Sequence, residues 1–245
     1  MTSRKLKKIF LILIGLLLLS SSFILFKNFN EDIRFITYIV NLNEKKVKFY
    51  WKDENNINFR SIENLKNWLK NNDYELAFAT NGGMYKKDLS PQGLYIENFE
   101  IKNQLDTNNG KGNFYLKPNG IFYITNENEG IICTTEKFAV NKNIKFATQS
   151  GPMLVIENKI HPAFKEGSKN LNIRNGVSVL DNGNLVFVMS KKEINFYDFA
   201  TYFKQLGCKN ALYLDGYVSR TYLPEENWIQ TDGNFGVLIG VTNNK

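Results

Sequence analysis

Alternation of apolar and polar positions dominates the chain after residue 33, and it predicts strands. RFITYIV (34–40) and KVKFYW (46–51) read as two strands around a turn at Asn43-Glu44, with the alternation clearest in the second. A helical period appears at 61–72, where Ile62, Leu65 and Leu69 share one face and Ser61 stands in the capping position. ELAFAT (75–80) is a short apolar strand running into Asn81-Gly82-Gly83. Hairpin-like units follow. GLYIEN and EIKNQ flank a turn at 98–99, and NFYLK and IFYIT flank Pro118-Asn119-Gly120. KFATQ leads into Ser150-Gly151-Pro152, then MLVIE and a turn at Asn158-Lys159, while GVSVL and NLVFVMS flank Asp181-Asn182-Gly183. A second helix is predicted from about Asn195 to Leu206, with Phe196, Phe199, Ala200 and Phe203 on one face and Gly207 as its stop. ALYLD (211–215) opens into a polar loop, and GVLIGV (236–241) is the last strand. The expected fold is α+β: one domain over 35–245, with a mixed, mostly antiparallel sheet, hairpins and two main helices.

The N-terminal pattern is different. Residues 9–26 carry no charge and follow the basic stretch SRKLKK. A run of about 18–20 apolar residues spans a bilayer as a helix, and basic flanks stay on the cytoplasmic side. The expectation is a cytoplasmic stretch at 1–8, a transmembrane signal anchor at 9–26 and a linker at 27–34. The domain then lies outside the membrane. Ser20 to Ser22 shorten the strongly apolar core toward signal-peptide length, so a cleaved and secreted form is the alternative. No small-x-small cleavage site follows, which favours the anchor.

Composition changes one part of this picture. The net charge of +7 invites a nucleic-acid reading, but four of the basic groups (Arg4, Lys5, Lys7 and Lys8) precede the apolar span. The remainder holds 27 basic against 24 acidic residues, too balanced for a broad electrostatic footprint, so no nucleic-acid partner is expected. Cys133 and Cys208 form no CxxC motif, and a disulfide between them and two buried thiols both remain open. The single histidine, His161, and the absence of clustered ligands argue against a metalloenzyme. No cofactor is expected, although Asp215 with backbone oxygens leaves room for a hard cation.

Four loops carry polar groups where apolar strands end: TNGGMY (80–85), TQSGPM (148–153), RNGVS (174–178) and LDGYVSR (214–220). Glycine lets backbone amides approach a ligand, and polar strand ends make a site where several converge. Any one of these loops alone reads equally as an ordinary turn. Together with GLYIEN, NFYLKPNGIF, HPAF, IRNGVSVLDNG and ALYLDGYVSRTYLP, in this order over about residues 35–242, they resemble a bacterial branch of the phosphodiester glycosidase family. One departure stands out. Many members have DGG, a small residue and Ser, where this chain has Asp215-Gly216-Tyr217-Val218-Ser219, so Tyr217 either narrows the pocket or stacks on a sugar.

The resemblance implies hydrolysis of the sugar C1–O bond of a sugar-1-phosphodiester, with cell-wall or exopolysaccharide glycans as the substrate class. Such cleavage passes through an oxocarbenium-like state, which calls for a carboxylate near C1 and cationic or amide donors on the phosphate. Asp215 is the first candidate for the carboxylate, and Glu97 and Asp181 are reserves. Arg174 is the first candidate for the phosphate, because its planar fork matches phosphate, and Arg220 is the second. Asn81, Gln149 and Ser150 are candidate donors to sugar or phosphate, with the backbone amides of Gly82, Gly83 and Gly151 beside them. Asn175, Gly216 and Ser219 complete the expected substrate contacts. His161 either donates a proton or serves structure.

Two rivals remain in view. A Ser150–His161–Asp215 hydrolase would need a nucleophile elbow, and QSGP is not one. A non-catalytic, membrane-anchored module that holds a glycan or cell-wall polymer could use the same loops without cleaving anything.

Overall fold

A computed structural model describes residues 32–215 and 218–243 of the 245-residue chain. The apolar span 9–26 and the loop residues Gly216 and Tyr217 lie outside the described residues. Among those described, no helix is long and apolar enough to cross a membrane.

In chain order the elements are β1 (Phe35–Val40), β2 (Lys46–Tyr50), α1 (Ile62–Asn71), β3 (Leu76–Gly83), β4 (Tyr95–Glu97) and β5 (Glu100–Asn103). Then come β6 (Gly120–Thr125), β7 (Gly130–Thr134), β8 (Ile144–Ser150), β9 (Met153–Ile156), β10 (Lys159–Ile160) and β11 (Asn175–Val179). The last are β12 (Leu185–Ser190), α2 (Phe196–Gln205), β13 (Ala211–Asp215), β14 (Thr221–Leu223), β15 (Trp228–Ile229) and β16 (Val237–Thr242).

The strands form three sheets, ordered β1-β12-β11-β13-β9-β10, β15-β14-β3-β16-β2 and β5-β4-β8-β6-β7. Every ladder in them is antiparallel. The architecture is α+β with two helices. Apolar residues from all three sheets, among them Phe49, Phe78, Tyr95, Phe122, Phe146, Phe187, Leu212 and Leu214, fuse into one core. Antiparallel strands alternate their side chains, so the opposite faces must be covered separately. Helix α2 seals the six-stranded sheet with Phe196, Phe199, Ala200 and Phe203, and α1 covers β3 and β2 with Ile62, Leu65 and Leu69. The Ser61 hydroxyl accepts from the Asn64 amide at 3.2 Å and caps α1 as its sequence position predicts.

The hairpins at 98–99 and 181–183 form, with Asn98, Phe99 and Gly183 at positive φ. The β9–β10 hairpin turns on Glu157 and Asn158, both also at positive φ. Two expectations change. β1 and β2, adjacent in sequence, go to different sheets: β1 pairs with β12 and β2 with β16. NFYLK forms no strand; Asn113–Tyr115 is a 3-10 turn, and β6 pairs instead with β7 and β8. Pro118 brings no N–H to a ladder at that point, and the buried Phe114 is anchored by the turn rather than by a strand. Cys133 and Cys208 are free thiols, and burial pushes both up to about 11.

Candidate active site

Bulges in two strands aim side chains at one spot. In β3, Gly83 faces Val237 and Asn81 faces Leu238, so Gly82 is an extra residue in the ladder. In β13, Asp215 faces Asn175 and Tyr213 faces Gly176, which makes Leu214 the extra residue there. Bulges bend a strand and re-aim its neighbours. Here they place Asn81 and Asp215 at the junction of two sheets. The glycines serve close packing: a Cβ on Gly82 would run into Ile239, one on Gly83 into the Thr148 hydroxyl, and one on Gly151 into Asn119 and the Phe114 carbonyl.

Asn175 ties the junction together. Its Nδ2 donates to Thr80 Oγ1 at 2.9 Å, to the Asn81 carbonyl at 2.9 Å and to Asn81 Oδ1 at 3.2 Å. Its Oδ1 accepts from the Asp215 amide at 3.1 Å and lies 3.3 Å from the Ser219 hydroxyl. That hydroxyl also reaches the Asp215 and Ile173 carbonyls at 3.2 and 3.3 Å. Asn81 Oδ1 takes the Arg220 amide as well, at 2.9 Å. Both lone-pair directions of Asn81 are therefore used inside the protein, while its Nδ2 is buried without a partner among the described residues. A buried donor with no acceptor costs about 1–3 kcal/mol, which makes this amide a prepared place for a ligand oxygen. Asp215 is 7% exposed and sits at the end of β13 with its backbone clamped by Asn175.

The two arginines differ. Arg174 has no exposed surface, and its guanidinium lies 3.6 Å from the Phe196 ring centroid. Nε donates to the Ile194 carbonyl at 2.8 Å, Nη1 to the Tyr213 hydroxyl at 3.2 Å and Nη2 to the Asn170 carbonyl at 2.9 Å. All are neutral acceptors. Burial pulls its pKa down, with Tyr213 opposing the shift. Its fork is consumed inside the protein and is not offered to a phosphate. Arg220 keeps 31% of its side chain exposed. Its Nε donates to Asp232 at 2.8 Å and Nη1 to the Ser219 carbonyl at 3.1 Å. The Arg220 guanidinium is thus a partly exposed cation beside Ser219, and its backbone amide holds Asn81.

The remaining candidates fall outside this cluster or brace it. Gln149 is fully buried and spends its amide on the Leu94 and Asp106 backbones, at 3.0 and 2.9 Å for Oε1 and 2.6 Å for Nε2 to Asp106. Ser150 donates to the Leu214 carbonyl at 2.7 Å and so ties β8 to the bulge in β13. These bonds are structural, and no ligand contact is needed to explain either residue. His161 is 1% exposed, accepts from the Ala163 amide through Nδ1 at 3.1 Å and stacks on Phe164 at 4.7 Å. Phe164 stacks in turn on Phe196. His161 therefore belongs to the aromatic stack over Arg174, and burial lowers its pKa, partly offset by the Lys117 backbone. Ser150 bonds the Leu214 carbonyl and His161 bonds the Ala163 amide, so no Ser–His relay forms. Asp181 lies in the β11–β12 turn, and Glu97 lies at the β4–β5 hairpin. Among the described residues, no group of three or more His, Cys, Asp or Glu is placed to hold a metal.

Three contributors escape a motif-based reading. Thr80 joins the hub by accepting from Asn175 and donating to the Arg220 carbonyl at 2.9 Å. Tyr213 bridges Arg174 and the Asp215 strand end, and burial raises its hydroxyl pKa well above the usual value. Tyr85 is half-buried; burial and then the Asp215 charge raise its pKa, so its hydroxyl stands in the field of that carboxylate. The only sequence signal for Tyr85 is its place as the last residue of NGGMY.

Known proteins are similar to this chain. The chain is 39% identical over 187 residues to the Escherichia coli (strain K12) protein YigE, described as uncharacterized, covering 76% of this chain and 73% of that one. Among solved structures, the zebrafish N-acetylglucosamine-1-phosphodiester alpha-N-acetylglucosaminidase catalytic domain, auto-inhibited by its pro-peptide, superposes with a TM-score of 0.58 at 12% identity. The match covers 88% of this chain and 85% of that one. A protein of Burkholderia pseudomallei matches with a TM-score of 0.56 at 8% identity, over 84% and 73% of the two chains. The model of the phosphodiester glycosidase family matches residues 74–241, which contain Asn81, Asn175, Asp215 and Arg220, and the chain belongs to that family.

Proposed function

We propose that the protein is an extracytoplasmic glycosidase that hydrolyses the C1–O bond of a sugar-1-phosphodiester within a cell-wall or exopolysaccharide-type glycan. The observation that carries this is the clamped Asp215 strand end. A buried carboxylate at the end of β13 shares one hydrogen-bonded hub with a buried donor, Asn81 Nδ2, and a rim cation, Arg220. Water attacks C1, the C1–O bond breaks and its electron pair leaves on the phosphate oxygen. Asp215 offsets the positive charge that develops at C1 and takes the proton of the attacking water before passing it to solvent. Arg220 and Asn81 bear on the phosphate, whose leaving oxygen needs little protonation because a phosphomonoester is already a stable anion. Arg174 acts at a distance by holding Tyr213 and the 170–175 segment.

Residues 9–26 serve in this reading as an uncleaved anchor that keeps the domain at the outer face of the membrane. The basic flank and the uncharged run support it. Recovery of intact residues 1–26 in the membrane fraction is the expected result, and a mature N-terminus near residue 27 would contradict it. The activity is tested with the full chain on glycerol N-acetylglucosamine-1-phosphodiester and on UDP-N-acetylglucosamine, following free sugar and phosphomonoester. Release that Asp215→Asn abolishes supports the assignment. Binding of either compound with no turnover would favour the glycan-binding module instead.

A further inference from the structure

A second groove lies at the end of the sheet that carries Asn81. Tyr50, the last residue of β2, faces Leu238 of β16, and Leu238 faces Asn81 of β3. Trp51 therefore follows at the same sheet end as Asn81, two strands away, or about 10 Å by ladder spacing. Trp51 and Trp68 line a cavity of about 360 Å³ together with loop 52–56 and the β4–β5 hairpin. Both indoles are half-buried and pinned: Trp51 Nε1 donates to the Leu89 carbonyl at 3.0 Å and Trp68 Nε1 to Glu54 at 2.8 Å. Tyr95 packs edge-on to Trp51, and Phe59 packs edge-on to Trp68. The rings are thus held in fixed orientations on the wall of an open groove.

The polar lining restricts the occupant. Lys52 and Lys102 stand among four carboxylates, Asp53, Glu54, Glu97 and Glu100. Lys102 is already paired with Glu100 at 2.6 Å, and the Lys52 ammonium lies 4.4 Å from the Trp51 ring centroid. A groove with this balance disfavours phosphate. Glu97 is half-buried and accepts from the Tyr95 hydroxyl at 2.9 Å, which fixes its carboxylate as an oriented acceptor for hydroxyls. Fixed aromatic walls with oriented carboxylates and amides suit a polyol with apolar ring faces, which is a sugar. One loop connects the two places: Leu89 holds Trp51, and Tyr85, four residues earlier, follows closely on the strand that carries Asn81.

We propose that the Trp51–Trp68 groove is a glycan subsite that takes an uncharged or amino-bearing sugar unit of the same substrate whose phosphodiester reaches Asp215. The proposal rests on the glycosidase reading for its partner site and narrows it: the chain next to the cleaved bond is sugar, not a run of phosphates.

The test is titration of the full chain with an N-acetylglucosamine tetrasaccharide, which carries neither charge nor phosphodiester, and separately with inorganic polyphosphate. The tetrasaccharide binds and shifts tryptophan emission. Trp51→Ala and Trp68→Ala each weaken it about tenfold or more. Glu54→Ala, an exposed change that frees the Trp68 indole without touching the core, weakens it about threefold. No tetrasaccharide binding, binding unchanged in all three variants, or polyphosphate binding lost in Trp68→Ala would each overturn the proposal. The two readings fail separately. No sugar release by the wild-type chain would remove the glycosidase reading, and full release by Asp215→Asn would remove Asp215 as its carboxylate; either leaves tetrasaccharide binding in place. Wild-type sugar release without tetrasaccharide binding would remove the groove alone.

Discussion

Arg174 and Arg220 flank the same hub and have opposite fates. Arg174 is sealed between Phe196 and Tyr213, with every mapped bond going to a neutral acceptor. Arg220 lies at the rim, half-exposed and tethered to Asp232, itself 65% exposed. The first braces the hub from behind, and the second keeps part of its surface exposed. The chemistry of a guanidinium suits it to phosphate at either position, and in the proposed reading burial leaves that role to Arg220.

The largest expected effect breaks the buried side of this comparison. Arg174→Ala strips donors from the Ile194 and Asn170 carbonyls and from the Tyr213 hydroxyl and empties the space beside Phe196. The buried Tyr213 hydroxyl loses this partner, at about 1–3 kcal/mol, and the emptied space beside Phe196 adds to it, so a loss of about 3 kcal/mol or more is expected in urea unfolding. An unchanged midpoint would show that Arg174 does not hold the fold. Asn175→Ala comes next. It unties Thr80, Asn81 and the Asp215 amide at once, costs about 2 kcal/mol by the same reasoning and lowers turnover together with stability.

Arg220→Ala sharpens the other side. Its ion pair is exposed enough that stability should move by no more than about 1 kcal/mol. A charged hydrogen bond to the phosphate is worth about 1.5–3 kcal/mol, so KM for a phosphodiester should rise about tenfold or more. A large drop in Tm with unchanged KM would reverse the roles of the two arginines. The smallest effect concerns pH. Burial depresses the His161 pKa in the folded protein. The unfolded chain then binds the proton more readily, so acidification costs stability. Above about pH 6.5 the ring is neutral in both states and contributes nothing to the pH dependence. As pH falls below that and through the lower folded value, stability declines. His161→Gln should flatten this part of the profile, and an unaltered slope would show that other groups set it.

Local chemistry wrote much of the fold into the chain. Ser61 and the spacing of Ile62, Leu65 and Leu69 specify α1, and Phe196 to Phe203 specify the face that α2 buries. The hairpin at 181–183 follows from Asn182 and Gly183. Sheet membership was not legible. β1 and β2 separate because their partners, β12 and β16, come from much later in the chain, and strand pairing is decided by those distant partners. The short strands β7, β14 and β15 exist through their neighbours and carry little pattern of their own.

The site shows the same division. Asn81, Asn175, Ser219 and Asp215 announce themselves as polar groups at strand ends beside glycine, and the structure draws them into one network. Gln149 and Ser150 look identical in sequence but spend their bonds on Leu94, Asp106 and Leu214. Nothing local distinguishes a polar side chain facing a ligand from one bracing a loop. Tyr213 was hidden for the converse reason, because it sits within an apolar strand run and acquires its role only when other elements pack against it.

The central claim is that Asp215, held by Asn175, is the hydrolytic carboxylate. Release of free sugar from glycerol N-acetylglucosamine-1-phosphodiester by wild type and Asp215→Asn tests it most directly. The variant keeps the backbone amide that Asn175 holds, so its fold and substrate binding should survive. Its rate is expected to fall by about 10²–10⁴-fold. A variant that releases sugar at the wild-type rate would contradict the account.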